Sequence, residues 1–147
     1  MNREIKFRAW DKHIEQMQIV RDIYFDRKTG DTEYFVTKSK FGTHVGNLES
    51  HELMQYTGLK DVNGVEIYEG DIVRVILSSY EKLVAYVEWF GDEGYPAFDL
   101  HQVNEAFYFD SNILSTVMND GSEVEVIGNI YENPEFLKED TNEQIQD

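Results

Sequence analysis

Apolar and polar positions alternate along most of this chain with a period of two residues rather than 3.6, which predicts strands. In EIKFRAW (4–10), Ile5, Phe7 and Ala9 fall on one side and Lys6, Arg8 and Trp10 on the other, the pattern of a half-buried first strand. QMQIV (16–20) and DIYF (22–25) continue the pattern, DRKTGD (26–31) has the composition of a hairpin loop, and TEYFVT (32–37) reads as the returning strand. Segment 38–50, KSKFGTHVGNLES, holds two glycines among small polar residues and reads as loop and linker, with a short helix near LESHELM (48–54) as its one candidate element.

The stretch 56–75, YTGLKDVNGVEIYEGDIVRV, carries two turn signals before its apolar run. Asn63-Gly64 tolerates the positive φ of a tight hairpin, and Glu69-Gly70-Asp71 predicts a second turn feeding a strand with Ile72, Val73, Val75 and Leu77. LVAYVEWF (83–90), YPAFDLHQV (95–103) and EVEVIGNIYENP (123–134) supply further strands, and Pro134 halts the last. DSNILSTVMN (110–119) reads equally as a strand or as one to two helical turns. The expected class is therefore all-β with a short helix or two. An N-terminal β unit and linker occupy 1–50, a small barrel or sandwich 51–133, and an acidic tail, frayed or disordered, 134–147.

Charge sharpens that division. Residues 1–48 hold nine Lys/Arg against seven Asp/Glu, whereas 49–147 hold four against twenty-two, within a total of −16 over 147 residues. Two units with different surfaces follow. The acidic part favours solubility and disfavours contact with phosphate; mimicry of nucleic acid towards a basic partner is the sharper alternative. No apolar run approaches the roughly 18–20 residues that span a bilayer, and MNREIKFRAW is charged where a signal peptide is apolar, so a cytoplasmic protein with no membrane contact is expected. Absence of cysteine removes disulfides, thiol catalysis and Cys-ligated zinc together.

Candidate chemistry is sparse. Asp61-Val62-Asn63-Gly64 begins like a calcium loop, but its glycine is fourth rather than sixth and Ile72 holds the twelfth place, where the loop needs an acid. Glu66, Glu69 and Asp71 could pair for acid–base work, yet turn chemistry accounts for them more simply: Gly70 allows the turn and Asp71 bonds local N–H groups. His13, His44, His51 and His101 form neither H-E-x-x-H nor H-x-H, no G-x-S-x-G is present, and Gly42 and Gly46 belong to no phosphate loop. The expectation is a non-enzymatic protein without cofactor or metal.

A binding module remains. Lys6, Arg8 and Trp10 interleave cations with a ring, and Tyr56, Tyr68, Trp89 and Tyr95 are aromatics that a small barrel could present between loops. Nucleic acid through the Lys6–Lys12 strand is the alternative reading, disfavoured by the overall charge. A protein partner is expected, and the surplus of rings suggests an oligomer interface as well.

Four blocks carry a family resemblance: REIKFRAWDK (3–12), LMQYTGLKDVNGVEIYEGDIVRV (53–75), VEWF (87–90) and VIGNIYENPEFL (126–137). In this order they resemble the YopX family of phage and prophage proteins. The resemblance implies an all-β protein whose C-terminal part resembles an SH3-like barrel. It implies no activity and no catalytic residue. The region between about 13 and 50 has no counterpart in it. The expected class is a phage accessory protein that works by binding a host or phage protein.

Overall fold

The computed structural model describes residues 3–89, 96–103 and 113–138, and the chain divides into two compact units, 1–56 and 57–147. Ten strands and one short α-helix lie among the described residues, so the all-β class holds. Strands β1 (Phe7–Asp11), β2 (Gln16–Phe25), β3 (Thr32–Ser39), β4 (Gly42–Gly46) and β5 (His51–Lys60) pair antiparallel in the order β4-β3-β2-β1-β5, and β6 (Glu66–Tyr68) is next to β5 in the hydrogen-bonding order. The second sheet has the order β10-β7-β8-β9, from β7 (Asp71–Ile76), β8 (Lys82–Trp89), β9 (Phe98–Gln102) and β10 (Glu123–Asn129). Both sheets are open among the described residues. The barrel closure expected for 51–133 is not among their features.

The first unit is built around a long hairpin. The expected strands 16–20 and 22–25 are one strand, β2, whose register against β3 shifts between Val20 and Asp22, a bulge at Arg21. The loop after it is made by Asp26, whose Oδ1 accepts the N–H groups of Lys28 (2.8 Å) and Thr29 (2.9 Å), with Gly30 at φ +75° closing the turn. Segment 38–50 is not a linker. It holds the end of β3, a turn at Lys40-Phe41 and β4, because Gly42, at φ +117°, returns the chain on itself. The helix weighed at LESHELM is likewise a strand: His51–Gln55 pairs residue by residue with Asp11–Phe7, and a neighbouring strand outweighs local helix propensity. That pairing also places the boundary between the units inside β5 rather than at Ser50.

Gly46 of β4 is required for space. A Cβ there would lie 2.5 Å from Nδ1 of the His51 ring, and that ring is held by bonds on both nitrogens. Gly46→Ala is expected to destabilise the protein by about 2 kcal/mol through overpacking, read as a lower urea midpoint. Gly42→Ala, where a Cβ meets nothing within 4 Å, is limited to the backbone cost of its positive φ and serves as the comparison.

In the second unit, alternate residues of β7 and β8 (Val73, Val75, Leu83, Ala85, Val87) bury one sheet face together with Leu100, Val124 and Ile67. Each of the Val, Leu and Ile side chains contributes about 1.5–3 kcal/mol. Of the ambiguous segment, 110–112 lie outside the described residues and the rest holds α1 (Leu114–Asn119), with Leu114 and Val117 one turn apart and both buried in that core. A six-residue helix without a side-chain cap is held by this packing rather than by its own propensity. The phase change within EVEVIGNI is a bulge: the β10–β7 register shifts between Val126 and Gly128. Pro134–Leu137 forms a 3-10 helix; residues 139–147 of the expected tail lie outside the described residues.

Candidate functional site

The turns nominated in 56–75 are built as their chemistry predicts. Asp61 Oδ1 accepts the N–H groups of Asn63 (2.9 Å) and Val65 (2.8 Å), Gly64 sits at φ +81°, and Asp71 Oδ2 accepts the Tyr68 N–H at 2.8 Å. Asp61 does more than this. Its Oδ2 accepts the N–H of Val126 at 2.8 Å, so one buried carboxylate ties the turn to β10. A second asparagine-built turn follows: Asn129 Oδ1 accepts the N–H groups of Tyr131 (3.1 Å) and Glu132 (2.9 Å), and Asn133 Oδ1 accepts that of Asn129 (3.2 Å). These oxygens accept from backbone N–H groups, and the Asn129 amide donates to Glu132 Oε1 at 2.8 Å. Among the described residues no group of three His, Asp or Glu side chains is placed to hold a metal ion.

Of the residues expected to form a binding surface, Arg8 and Trp10 lie on β1, Lys6 just before it, and Tyr56 on β5. Lys6 and Tyr56 do meet, with Lys6 Nζ 5.7 Å from the Tyr56 ring centroid, but Tyr56 is buried and Lys6 Nζ also lies 3.1 Å from Glu4 Oε2. Lys12, at the end of the same strand, pairs with Glu52 Oε1 at 3.2 Å and donates to the Glu49 carbonyl at 3.3 Å. Arg8 and Trp10 share a face of β1 and are half-buried. Tyr68 is half-buried; Trp89 is 47% exposed with its ring packed edge-on to Phe98, centroids 5.2 Å apart. Tyr95 lies outside the described residues.

What the fold also assembles in the first unit is a buried polar knot. Gln18 Oε1 accepts both the Thr37 hydroxyl (2.7 Å) and His51 Nε2–H (2.9 Å), and Gln18 Nε2 donates to Asp11 Oδ2 (3.4 Å). Because Gln18 Oε1 and the Asp11 carboxylate, 3.4 Å from Nε2, both accept, the neutral His51 ring carries its proton on Nε2. Nδ1 is then the acceptor for the Ser50 hydroxyl at 2.7 Å. A serine, a histidine and an aspartate thus stand in line, but the Ser50 oxygen is also engaged by the Asn47 backbone, accepting its N–H at 3.0 Å. The amides of Ser50 and His51 are spent on Asn47 too, at 3.0 and 2.9 Å, which leaves neither for an oxyanion.

Burial holds the His51 pKa below its usual value, against the opposing pull of the Asp11 carboxylate. Burial alone would raise Asp11; N–H groups of Ile14 and His13, the His51 charge and Gln18 outweigh it, and its pKa falls. Both groups bind protons more weakly when folded. Their stabilisation is therefore complete above the unfolded values and is lost as pH falls, from about pH 6.5 downward for His51 and below about pH 4 for Asp11. Urea midpoints measured from pH 7.5 to 5 should decline, and His51→Gln should flatten that part of the profile.

The exposed counterpart of the knot is the other face of β2, β3 and β4. Cross-strand register places Ile19 beside Lys38, Asp22 beside Val36, Val36 beside Val45, and Tyr24 beside Tyr34. Ile19 is 66% and Val45 70% exposed, and the rings of Tyr24 and Tyr34 stack at 4.5 Å, 17° from parallel. Near the hairpin tip an open depression of about 510 Å³ is lined by Tyr24, Phe25, Arg27, Lys28, Glu33 and Tyr34. The alternation in the sequence predicted β2 and β3 but neither β4 nor this face. The available signal was TEYFVT, where Tyr34 and Val36 are apolar on one parity and Phe35 on the other.

The architecture defines a two-unit antiparallel β protein. The chain belongs to the YopX protein family, whose match covers residues 6–138. Among solved structures it is similar to protein EF1440 from Enterococcus faecalis, with 27% identity and a TM-score of 0.57 over 93% of this chain and 100% of that one. It is also similar in fold to protein yopX from Bacillus subtilis, at 21% identity and a TM-score of 0.58 over 88% and 95% of the two chains. No curated protein matches. No helix among the described residues is long and apolar enough to cross a membrane.

Proposed function

We propose that this chain is a non-enzymatic accessory protein of phage or prophage origin, acting in the cytoplasm of the bacterial host by binding another protein. The observation that carries this reading is the face of β2, β3 and β4 on which Ile19, Val45 and the stacked pair Tyr24 and Tyr34 stand exposed. Exposed apolar patches on a folded chain mark interaction sites. The second unit, with its five strands β6–β10 and a short helix before the last, serves as an SH3-like scaffold in this reading. The nucleic-acid alternative loses its main support, since Lys6 and Lys12 are paired with Glu4 and Glu52.

The test is a tagged pull-down from bacterial lysate, with and without phage infection, treated with nuclease and washed at two salt concentrations. A stoichiometric protein retained through both treatments, and lost with Ile19→Lys, is the expected result. Recovery of nuclease-sensitive, salt-sensitive material alone would replace this reading with the nucleic-acid one.

A further inference from the structure

We infer that the β4 edge and the adjoining face of β2 and β3 pair with a second copy of this chain; this rests on the reading of that face as a protein-binding surface and names its partner. Three observations converge. The first is the edge itself. β4 is the outer strand of its sheet, and its sequence, Gly42-Thr43-His44-Val45-Gly46, contains no proline, no Lys, Arg, Asp or Glu and no bulge against β3. Soluble proteins ordinarily blunt such an edge with one of these devices, because its free N–H and C=O groups template pairing with another strand. Here the edge is bare, and Val45 beside it is 70% exposed.

The second is continuity. Val45 is directly opposite Val36, so the apolar surface runs from the edge onto β3; on β2 the same face carries Ile19 and Tyr24, with Asp22 opposite Val36 and Lys38 opposite Ile19. A strand added at β4 would lay its own side chains along the border of that surface. Backbone pairing and apolar burial then act together, as in strand-addition interfaces.

The third is charge, and it selects the partner. Residues 1–56 carry nine cationic and nine anionic side chains, so four against twenty, a net of −16, remain for 57–147. Two copies repel through their second units and meet at least cost through their first. The exposed charges of β2 and β3 are themselves balanced, Arg21 and Lys38 against Asp22 and Glu33. An isologous contact needs a surface that complements itself, with both signs on one patch. A polyanion such as nucleic acid, or a strongly basic partner, would instead call for a patch of one sign.

The experiment is light-scattering mass of the full chain across a concentration series from low micromolar to several hundred micromolar. The expected mass rises from one copy towards two. Val45→Lys, which installs the missing edge charge on an exposed side chain, should hold the mass at one copy throughout while its far-UV circular dichroism stays that of the unmodified chain. Val62→Lys, a comparably exposed position in the second unit, should associate as the unmodified chain does. A single-copy mass at every concentration overturns the inference. So does association that Val45→Lys leaves intact, or that Val62→Lys weakens equally. The two levels separate cleanly: a chain that stays single but loses its captured protein with Val45→Lys keeps the binding surface and loses the second copy as its partner.

Discussion

Replacing Asp61 with alanine is expected to cost about 3 kcal/mol, because three N–H groups lose a charged acceptor at once. The carboxylate receives Asn63 and Val65 on one oxygen and Val126 on the other, at 2.8–2.9 Å, from a residue only 7% exposed. Water reaches the first two N–H groups easily in an exposed turn. The Val126 N–H lies in β10, beside the bulge, and losing its acceptor is the costly part. Asparagine separates the contributions. Its carbonyl still accepts from Asn63 and Val65, but its amide presents hydrogens to the Val126 N–H, so about 1.5–2 kcal/mol should be lost rather than 3. For a unit of this size the alanine variant corresponds to a fall in melting temperature on the order of 15 °C. Urea and thermal unfolding of D61A, D61N and the unmodified chain decide the matter. A D61N variant as stable as the unmodified chain would mean that the tie to β10 contributes nothing, and the turn alone would then account for Asp61.

Asp61 also marks where sequence reasoning reaches and where it stops. Its bonds to Asn63 and Val65 were legible in KDVNGV, as the Asp71 bond was in YEGD, because a short polar side chain and a following glycine fix a turn within a few residues. The bond to Val126 spans 65 residues and has no local signal. Segment 38–50 shows the same limit from the other side. Two glycines among small polar residues read as linker, yet Gly42 provides a turn and Gly46 provides room for a ring. Composition reports that a backbone is permissive without reporting what uses the freedom. His51 looked isolated because Asp11, Gln18 and Thr37 reach it only through strand pairing. The exposed face was missed for a related reason: a strand with apolar residues on both parities does not say which parity the core takes.

Gln18→Leu is the second large effect, about 3 kcal/mol, and its mechanism makes the loss partly recoverable. Gln18 is 1% exposed and its Oε1 is the shared acceptor for the Thr37 hydroxyl and His51 Nε2–H. Leucine fills similar volume but strands both donors in a site closed to water; His51 keeps only the longer contact to Asp11 at 3.4 Å. Thr37→Val alone removes one donor and should cost about 1 kcal/mol. If the knot works as a unit, the double variant Gln18→Leu/Thr37→Val costs less than the two single losses combined, by about 1–2 kcal/mol, since the stranded hydroxyl is gone. Strict additivity in urea unfolding would show instead that Thr37 and Gln18 act independently. The remaining deficit belongs to His51, and its pH dependence gives the final check. The Asp11 carboxylate faces the ring in both proteins, but the variant loses the Gln18 acceptor on Nε2–H and gains an apolar neighbour, which disfavours the protonated ring further. The loss of stability between pH 7.5 and 5 should therefore be steeper in Gln18→Leu than in the unmodified chain, and the variant also starts lower.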